Sequence, residues 1–546
     1  MPPSPFSLVA LAVGAWALYK IYVKFIMPRP EDIIPAPPLH AWFLGHLPMV
    51  MGRQGWKQWS AWADEYGTTF RLKFPVERRV VVTHDPKVLH HVLVKDSDNF
   101  PKHISPSDDL KLLLGPGVLT TVGHQHKRQR KLLTPVFAAS HLRNMANIFY
   151  NVAHRVVEAM EKRIPTHETA EDLDVNGWMA RTTLEMLGQA GLGYSFDNFL
   201  DDSTDEYGQS LKMFFPTLNS AVFIQIVAPI MSEYIPDWLS CALWRIFPNK
   251  SINRMMHIRD TMYRRSKEII SEKKLALERG DQALAHEVGE GKDIMSICLK
   301  ANMSAADHDK MDDEEIIAQM STFILAGMDT TSNALSRILL LLAEHPDAQE
   351  KLRAEILEAQ GVDRSDISYE DLIKLPYLDA VCRETLRLYA PVPITGRMVA
   401  KDTAIPLSQP MRGVDGREIN EIVLKRDSVV ITYLQGSNVN KELWGEDALE
   451  WKPERWLSPL PGAVDEARIP GVYAHLMTFS AGSTSCIGFK FSQVEMKVVL
   501  STLLPAFSFA PTDKEVVWNS SAVLYPTMGY EKELPEMRLM VKIIKD

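Results

Sequence analysis

Hydrophobic and polar positions divide the chain into an apolar leader, a proline-rich joint and a long mixed body. The first 19 residues carry no charge, and Phe6 to Met27 is a 22-residue run broken only by Lys20 and Lys24. At 1.5 Å per residue it makes a helix of ~33 Å, enough for a hydrocarbon core ~30 Å thick. The lysine stems can reach the headgroups, and Lys20, Lys24 and Arg29 all follow the apolar stretch, which predicts a signal anchor with a lumenal amino terminus and a cytoplasmic body. A cleaved leader would open on a basic region and end at a small-x-small site, and neither is found. Residues 1–27 are therefore expected to be a transmembrane anchor helix and residues 28–45, with Pro28, Pro30, Pro35, Pro37 and Pro38, a hinge. Residues 46–546 are expected to form one catalytic domain.

In the body, runs rich in β-branched and aromatic residues are few and short: Thr69 to Phe74, Arg79 to Thr83 and Ser428 to Thr432. Amphipathic helical periodicity dominates elsewhere, so the expected fold class is mainly α with a small β region. From Asp312 to His345 the pattern runs 34 residues, with acidic residues at its start and Pro346 just beyond. That predicts one helix of ~51 Å crossing the domain. The charged stretch from Ser271 to Lys292 reads as a solvated surface connection.

Composition narrows the function. Apolar residues make up 46% and charged residues 24% of the chain, the balance of a globular enzyme. Lys plus Arg at 60 against Asp plus Glu at 69 gives a net charge of −9, which argues against binding nucleic acid by phosphate neutralisation. Cys241, Cys298, Cys382 and Cys486 form no C-x-x-C pair, so neither a disulfide framework nor a structural zinc site is expected. His286-Glu287 lacks the second histidine of a zinc hydrolase helix. The sequons at Asn249, Asn302 and Asn519 are expected to stay unmodified.

One segment carries distinctive chemistry: Phe479-Ser-Ala-Gly482-Ser-Thr484-Ser-Cys486-Ile-Gly488, followed by a helical pattern to Leu504. An isolated cysteine is ordinarily a small buried hydrophobe. Here a loop turns into a helix, where free amide donors and the helix dipole favour a thiolate, and Gly482 and Gly488 let something flat approach the backbone. Further segments stand in a fixed order around it. Glu384-Thr-Leu-Arg387 puts two opposite charges on one helical face, and Arg455 of Pro453-Glu454-Arg455-Trp456 can complete a buried network with them. Ala326-Gly-Met-Asp329-Thr330-Thr331 places a carboxylate and hydroxyls within an apolar helix. Such groups are costly to bury unless they meet water or ligand, although a threonine bonding back to its i−4 carbonyl also accounts for the hydroxyl. His124-Gln-His126-Lys-Arg-Gln-Arg130-Lys131 forms a basic helix, and Ala390-Pro-Val-Pro393-Ile-Thr-Gly-Arg397 reads as a turn and strand.

Taken together these segments resemble the cytochrome P450 superfamily, and in particular its membrane-anchored fungal microsomal members, over almost the whole chain after the anchor. The resemblance implies the cytochrome P450 fold in a single haem-binding domain and haem b with Cys486 as axial iron ligand, with Phe479 and Gly482 of the same loop also binding the cofactor. It implies Arg130, His126 (where tryptophan is usual) and Arg397 at the haem propionates, with Glu384, Arg387 and Arg455 as the structural network. Asp329 and Thr330 would relay protons and order water. Lys127, Arg128 and Lys131 read as solvated, or as a dock for an acidic reductase. Substrate contacts by family position would come from Lys111 to Thr121, Phe214 to Ile230, Phe323 to Thr330, Val392 to Thr395 and Ala522 to Pro526. One departure stands out: Thr484 occupies the place of the usual Arg or His, so one charged propionate contact is missing.

The activity so implied is an O2-dependent monooxygenase hydroxylating or epoxidising a lipophilic small molecule, in secondary metabolism such as terpenoid biosynthesis. Lacking a flavin or nicotinamide fingerprint, it would take electrons from a membrane-bound NADPH-cytochrome P450 reductase, with cytochrome b5 as a second donor, at the endoplasmic reticulum membrane. The alternatives are a reductase-independent haem-thiolate isomerase or dehydratase, a fatty-acid or xenobiotic hydroxylase, and a non-catalytic haem carrier. The Asp329-Thr330 pair speaks against the first and the last.

Overall fold

A computed structural model describes residues 27–39, 44–74, 78–102, 107–200, 213–220, 235–279 and 291–544, with a few isolated positions elsewhere. The expected anchor, residues 1–27, lies almost wholly outside the described residues, among which no helix is long and apolar enough to cross a membrane.

The elements that build the site are, in chain order, β1 (Thr69–Phe74), β2 (Arg78–Thr83), α1 (Gly123–Leu133), α2 (Ala139–Glu161), α3 (Val175–Met186), α4 (Lys250–Arg279), α5 (Asp313–Glu344) and α6 (Pro376–Leu388). Then come β3 (Ile394–Met398), β4 (Val429–Tyr433), α7 (Phe489–Ala506), β5 (Val516–Asn519) and β6 (Tyr525–Met528). Helix α5 starts where the acidic residues predict, since Asp312 accepts from the Glu315 amide at 2.8 Å while Glu315 accepts from that of Asp312 at 3.1 Å. Such a reciprocal cap satisfies two otherwise orphaned donors. From Glu315 to Ala343 every residue of α5 is buried except Ala326, Gly327, Asp329, Thr330 and Arg337. A helix sealed on all sides is a central core element, so those unsealed positions mark where it meets something other than packed protein.

The sheet of four strands runs β1-β2-β4-β3. Its β1–β2 and β4–β3 pairs are antiparallel and its β2–β4 pair, with Val80 opposite Val429, is parallel. Alternating valines seal it: Val80, Val81 and Val82 are all within 1% of complete burial. Helices α2 and α7 pack together through the edge-to-face pair Phe149–Phe491, at 5.0 Å between centroids.

Two expectations need correction. Strand structure is more extensive than predicted, with paired strands at Thr403–Arg412 and Glu418–Leu424 and short carboxyl-terminal ones. Pro406 and Pro410 disguise the first, which tolerates them because it belongs to a two-stranded sheet with a register shift between Pro406 and Met411. The Ser271 to Lys292 stretch is not all surface connection either, because α4 continues to Arg279 and Lys273 is buried against Asp293 at 3.0 Å. Asn302 and Asn519 are buried, each with its side chain hydrogen-bonded inside the protein.

Candidate active site

The cysteine loop is shaped from behind by a charge network. Arg387 and Glu384, both on α6 and fully buried, form a two-pronged pair with both N–H···O distances 2.8 Å. Glu384 also accepts from Arg455 at 3.3 Å and from the Trp456 indole at 2.9 Å. Arg387 spends its other donors on the carbonyls of Ala448, at 2.6 Å, and Asn438, at 3.1 Å. A buried pair is tolerable only when its remaining donors and acceptors are met in this way. Asn438 carries the order onward, accepting from the Met477 amide at 2.7 Å and donating to Thr478 at 2.8 Å. Thr478 in turn donates to Leu386 on α6 at 2.8 Å. The chain therefore enters the loop on a fixed track.

Inside the loop, Phe479 is half-buried against Tyr473 and Phe489, and its carbonyl accepts from the Cys486 amide at 2.9 Å. Gly482 has a φ of +64°, and a Cβ there would stand 2.0 Å from the Leu93 carbonyl oxygen, so only glycine fits. Around Gly488 the case is different: a Cβ would meet only the Phe137 ring, at 3.8 Å. The protein does not require that glycine, which leaves the close approach of a flat group as its use. Phe137 also meets Phe323 of α5 edge-on at 5.6 Å, so one aromatic ring spans the distance between the cysteine loop and α5.

Cys486 retains accessible surface although it lies among many neighbouring protein atoms. Burial pushes its thiol up, against the opposing pull of the Gly488 amide and the Arg130 guanidinium. A cation bonded at the sulfur would favour the thiolate. Beside it lies a cluster of basic groups. Arg130 donates to the Ser485 carbonyl at 2.9 Å. Arg397 is buried and donates to the Gly396 carbonyl at 2.7 Å and to the Thr484 hydroxyl at 2.9 Å. Lys102, joined to Arg397 by a backbone bridge, donates to the Val118 carbonyl at 2.8 Å. Burial, followed by the fields of Arg397 and Arg130, pulls the Lys102 ammonium down to about 7. Burial and the same neighbours hold His126 neutral, with its pKa pulled down to about 3.

Among the described residues none of these four has a carboxylate partner. Cations crowded in a half-dry pocket without counterions call for an anion from outside the chain. A flat group carrying two carboxylates and a metal for the sulfur fits this donor set, as haem does. Thr484 proves to be an acceptor for Arg397, which leaves its own hydrogen to donate, and Lys102 stands as a further cation where the loop lacks one.

Above the loop, the Thr330 hydroxyl donates to the Ala326 carbonyl at 2.7 Å, the i−4 bond weighed from sequence. At Gly327 a Cβ would lie 2.8 Å from Leu187, so the missing side chain admits that leucine, and Ala326 beside it is exposed. Asp329 lines a pocket together with Ala180, Phe215, Pro216, Val523 and Tyr525. Three of the five stretches predicted to meet substrate thus converge there. Much of the stretch Phe214 to Ile230 lies outside the described residues. Arg128 is not solvated; it forms a salt bridge of 2.5 Å to the buried Glu315 at the start of α5. Lys127 and Lys131 are exposed and paired with Asp98 and Asp309.

Lys102, Glu495 and Arg337 were not found from sequence. Lys102 sits in no motif. Glu495, on α7, is a carboxylate within an apolar run, which could have flagged it. Neither oxygen makes a hydrogen bond of normal geometry, and burial pushes the acid well above its usual range, with Thr331 opposing weakly.

Comparison with known proteins agrees with this arrangement. Residues 35–531 match the sequence profile of the family described as Cytochrome P450. A ganoderic acid synthetase of Ganoderma lucidum is 53% identical, with 100% of both chains covered. A protein named cytochrome P450 monooxygenase 91 from Postia placenta is 44% identical over 97% of each chain. A cytochrome P450 monooxygenase of Hericium erinaceus is 32% identical over 97% of this chain and 98% of its own.

Proposed function

From the premise that the chain belongs to the cytochrome P450 family, we propose that this haem-thiolate monooxygenase inserts one oxygen atom into a lipophilic polycyclic substrate of the terpenoid class. Haem b, held through the Cys486 thiolate, supplies the electron-rich iron needed to split dioxygen. The rest is the work of side chains. Arg130, Arg397, Lys102 and neutral His126 would hold the propionates, with Thr484 donating beside them. Thr330, whose hydrogen is engaged by the Ala326 carbonyl, offers its lone pairs to an ordered water. Asp329 brings a carboxylate to the rim of the substrate space and moves protons from there toward Thr330 Oγ1. Phe215, Pro216, Val523 and Tyr525 exclude bulk water from the reacting carbon.

The observation that carries this reading is the basic cluster, without a carboxylate partner among the described residues, beside Cys486 and its accessible surface. The terpenoid assignment rests on the apolar walls and on the relative whose name specifies ganoderic acid. Electrons would come from an NADPH-dependent reductase, with cytochrome b5 as a second donor. The first 27 residues would anchor the enzyme in the endoplasmic reticulum membrane with its catalytic domain in the cytoplasm. An enzyme isomerising an already oxygenated substrate would have no need of the Asp329-Thr330 pair.

The test is turnover of a triterpene under 18O2 with purified reductase, where one labelled oxygen per product is expected, only with reductase and NADPH. Cys486→Ala should abolish the thiolate-type spectrum of the reduced carbon monoxide complex. Thr330→Ala should keep that spectrum while diverting most NADPH electrons to hydrogen peroxide. Product formation without reductase would refute the assignment.

A further inference from the structure

Arg53 stands in the turn before the helix Gly55–Tyr66, and its guanidinium reaches residues near the other end of the chain. Nε donates to the Asn519 side-chain oxygen at 3.0 Å and one terminal nitrogen to the Tyr530 carbonyl at 2.9 Å. The other terminal nitrogen donates to the Thr527 hydroxyl at 3.3 Å and to the Lys532 carbonyl. One planar group thus joins the end of β5, the inside of β6 and the loop beyond it. Asn519 and Thr527 are both buried, and the Asn519 amide donates to the Thr527 hydroxyl at 2.9 Å, so the fork closes on an existing link between the two strands. Neighbouring groups add to the grip. The Arg53 carbonyl accepts from the Ser520 amide at 2.6 Å, and the Gln54 side-chain amide and Trp56 indole both donate to the Trp518 carbonyl, at 3.1 and 3.0 Å.

What is held in this way is part of the wall of the pocket that Asp329 lines. Val523, Tyr525 and Pro535 contribute to that wall, and all three lie within residues 516–536, the β5–β6 hairpin and the loop after it. The tip of the hairpin is tied separately, Leu524 donating to the Pro391 carbonyl at 2.9 Å, so Arg53 acts at its base. Burial pushes the Tyr525 phenol up and the Arg53 charge opposes this, which puts the guanidinium within electrostatic reach of the wall itself. Lysine would not replace it, because an ammonium presents its donors from one atom whereas the four acceptors here are met by a planar fork. A wall already held by such bonds has little freedom left to lose when a ligand packs against it. A freed wall must be ordered at the expense of affinity.

We propose that Arg53 is a positioning residue for substrate selection: by fixing Val523, Tyr525 and Pro535 in the wall they share with Asp329, it lets the pocket take a bulky ligand without first ordering its own lining. This rests on the assignment of that pocket to substrate.

The test compares two ligands of the haem-loaded enzyme, read from the haem absorption shift. Imidazole needs only the iron, whereas clotrimazole, an imidazole bearing three aryl rings, must pack against the pocket wall. Wild type should bind clotrimazole about a hundred-fold more tightly than imidazole. Arg53→Gln should lose about ten-fold in clotrimazole affinity and none in imidazole affinity, with an unchanged carbon monoxide spectrum. Amide hydrogen exchange should quicken over residues 516–528 and stay as it is in α5. Arg53→Lys, which keeps the stem and the charge, should fold as wild type and lose about three-fold in clotrimazole affinity. Undiminished clotrimazole affinity in both variants, or an equal loss for both ligands, would overturn the proposal. Clotrimazole bound no more tightly than imidazole by wild type would instead strike at the substrate reading of the pocket beneath it.

Discussion

Lys102 shows how a single side chain can couple folding to cofactor loading. In the haem-free folded chain it titrates near 7, whereas the unfolded chain keeps the proton to about 10.5. Between those values the unfolded state binds the extra proton, so this residue makes stability of the haem-free protein rise with pH across the window and leaves it lowest at and below pH 7. Chemical unfolding of haem-free protein at pH 7 and pH 9.5 should show that slope, and Lys102→Met should flatten it. In the loaded enzyme the same substitution removes a charge-assisted contact and should speed haem transfer to apomyoglobin by on the order of ten-fold. Adding Thr484→Arg should restore retention. A Lys102→Met enzyme that keeps its haem as well as wild type would separate this lysine from the propionates. The sequence could point to Arg130, Arg397 and Cys486 because each sits in a segment with its own pattern. Lys102 gains its meaning from a partner far along the chain, Arg397, and no local spacing records that.

Among the elements, the cysteine loop is the most tightly specified. A methyl group at Gly482 would collide with a backbone carbonyl and would require a left-handed conformation, and neither neighbour can give way as a flexible side chain could. Gly482→Ala should therefore yield protein with native far-ultraviolet circular dichroism and less than a tenth of the wild-type haem content. Full haem occupancy in that variant would show that the loop tolerates reshaping. Helix α5 was legible almost to the residue because its cap, its acidic start and the following proline all agree. The two-stranded sheet from Thr403 to Leu424 was not, since its prolines contradict the strand pattern and only an edge position makes them harmless. At Gly327 the neighbour that requires a small residue, Leu187, comes from another part of the chain.

For the molecule as a whole, the proposed membrane anchoring through residues 1–27 is the feature to test. The body has its own extended core, from Ile34 to Ile543, and a net-acidic chain that still presents Lys127 and Lys131 on an exposed face. A version lacking residues 1–27 should leave the membrane fraction under high salt with an unchanged carbon monoxide spectrum, while its reduction by membrane-bound reductase slows several-fold. Retention on membranes would place a second attachment surface on the body. The mainly helical class was readable from hydrophobic patterning. The site's electrostatic balance was not, because it depends on which charges lack partners after folding.

The network from Glu384 to Asn438 and Thr478 is made wholly of protein groups. It can set the cysteine loop before any porphyrin arrives, while the neighbouring positive charges go on repelling one another. The newly made enzyme is thus a finished mould under internal pressure, and its prosthetic group enters as the missing counterion. By mass action, everything gained on that entry is added to the stability of the fold. Supply of porphyrin, more than the rate of translation, would then govern how much of this chain survives in the cell.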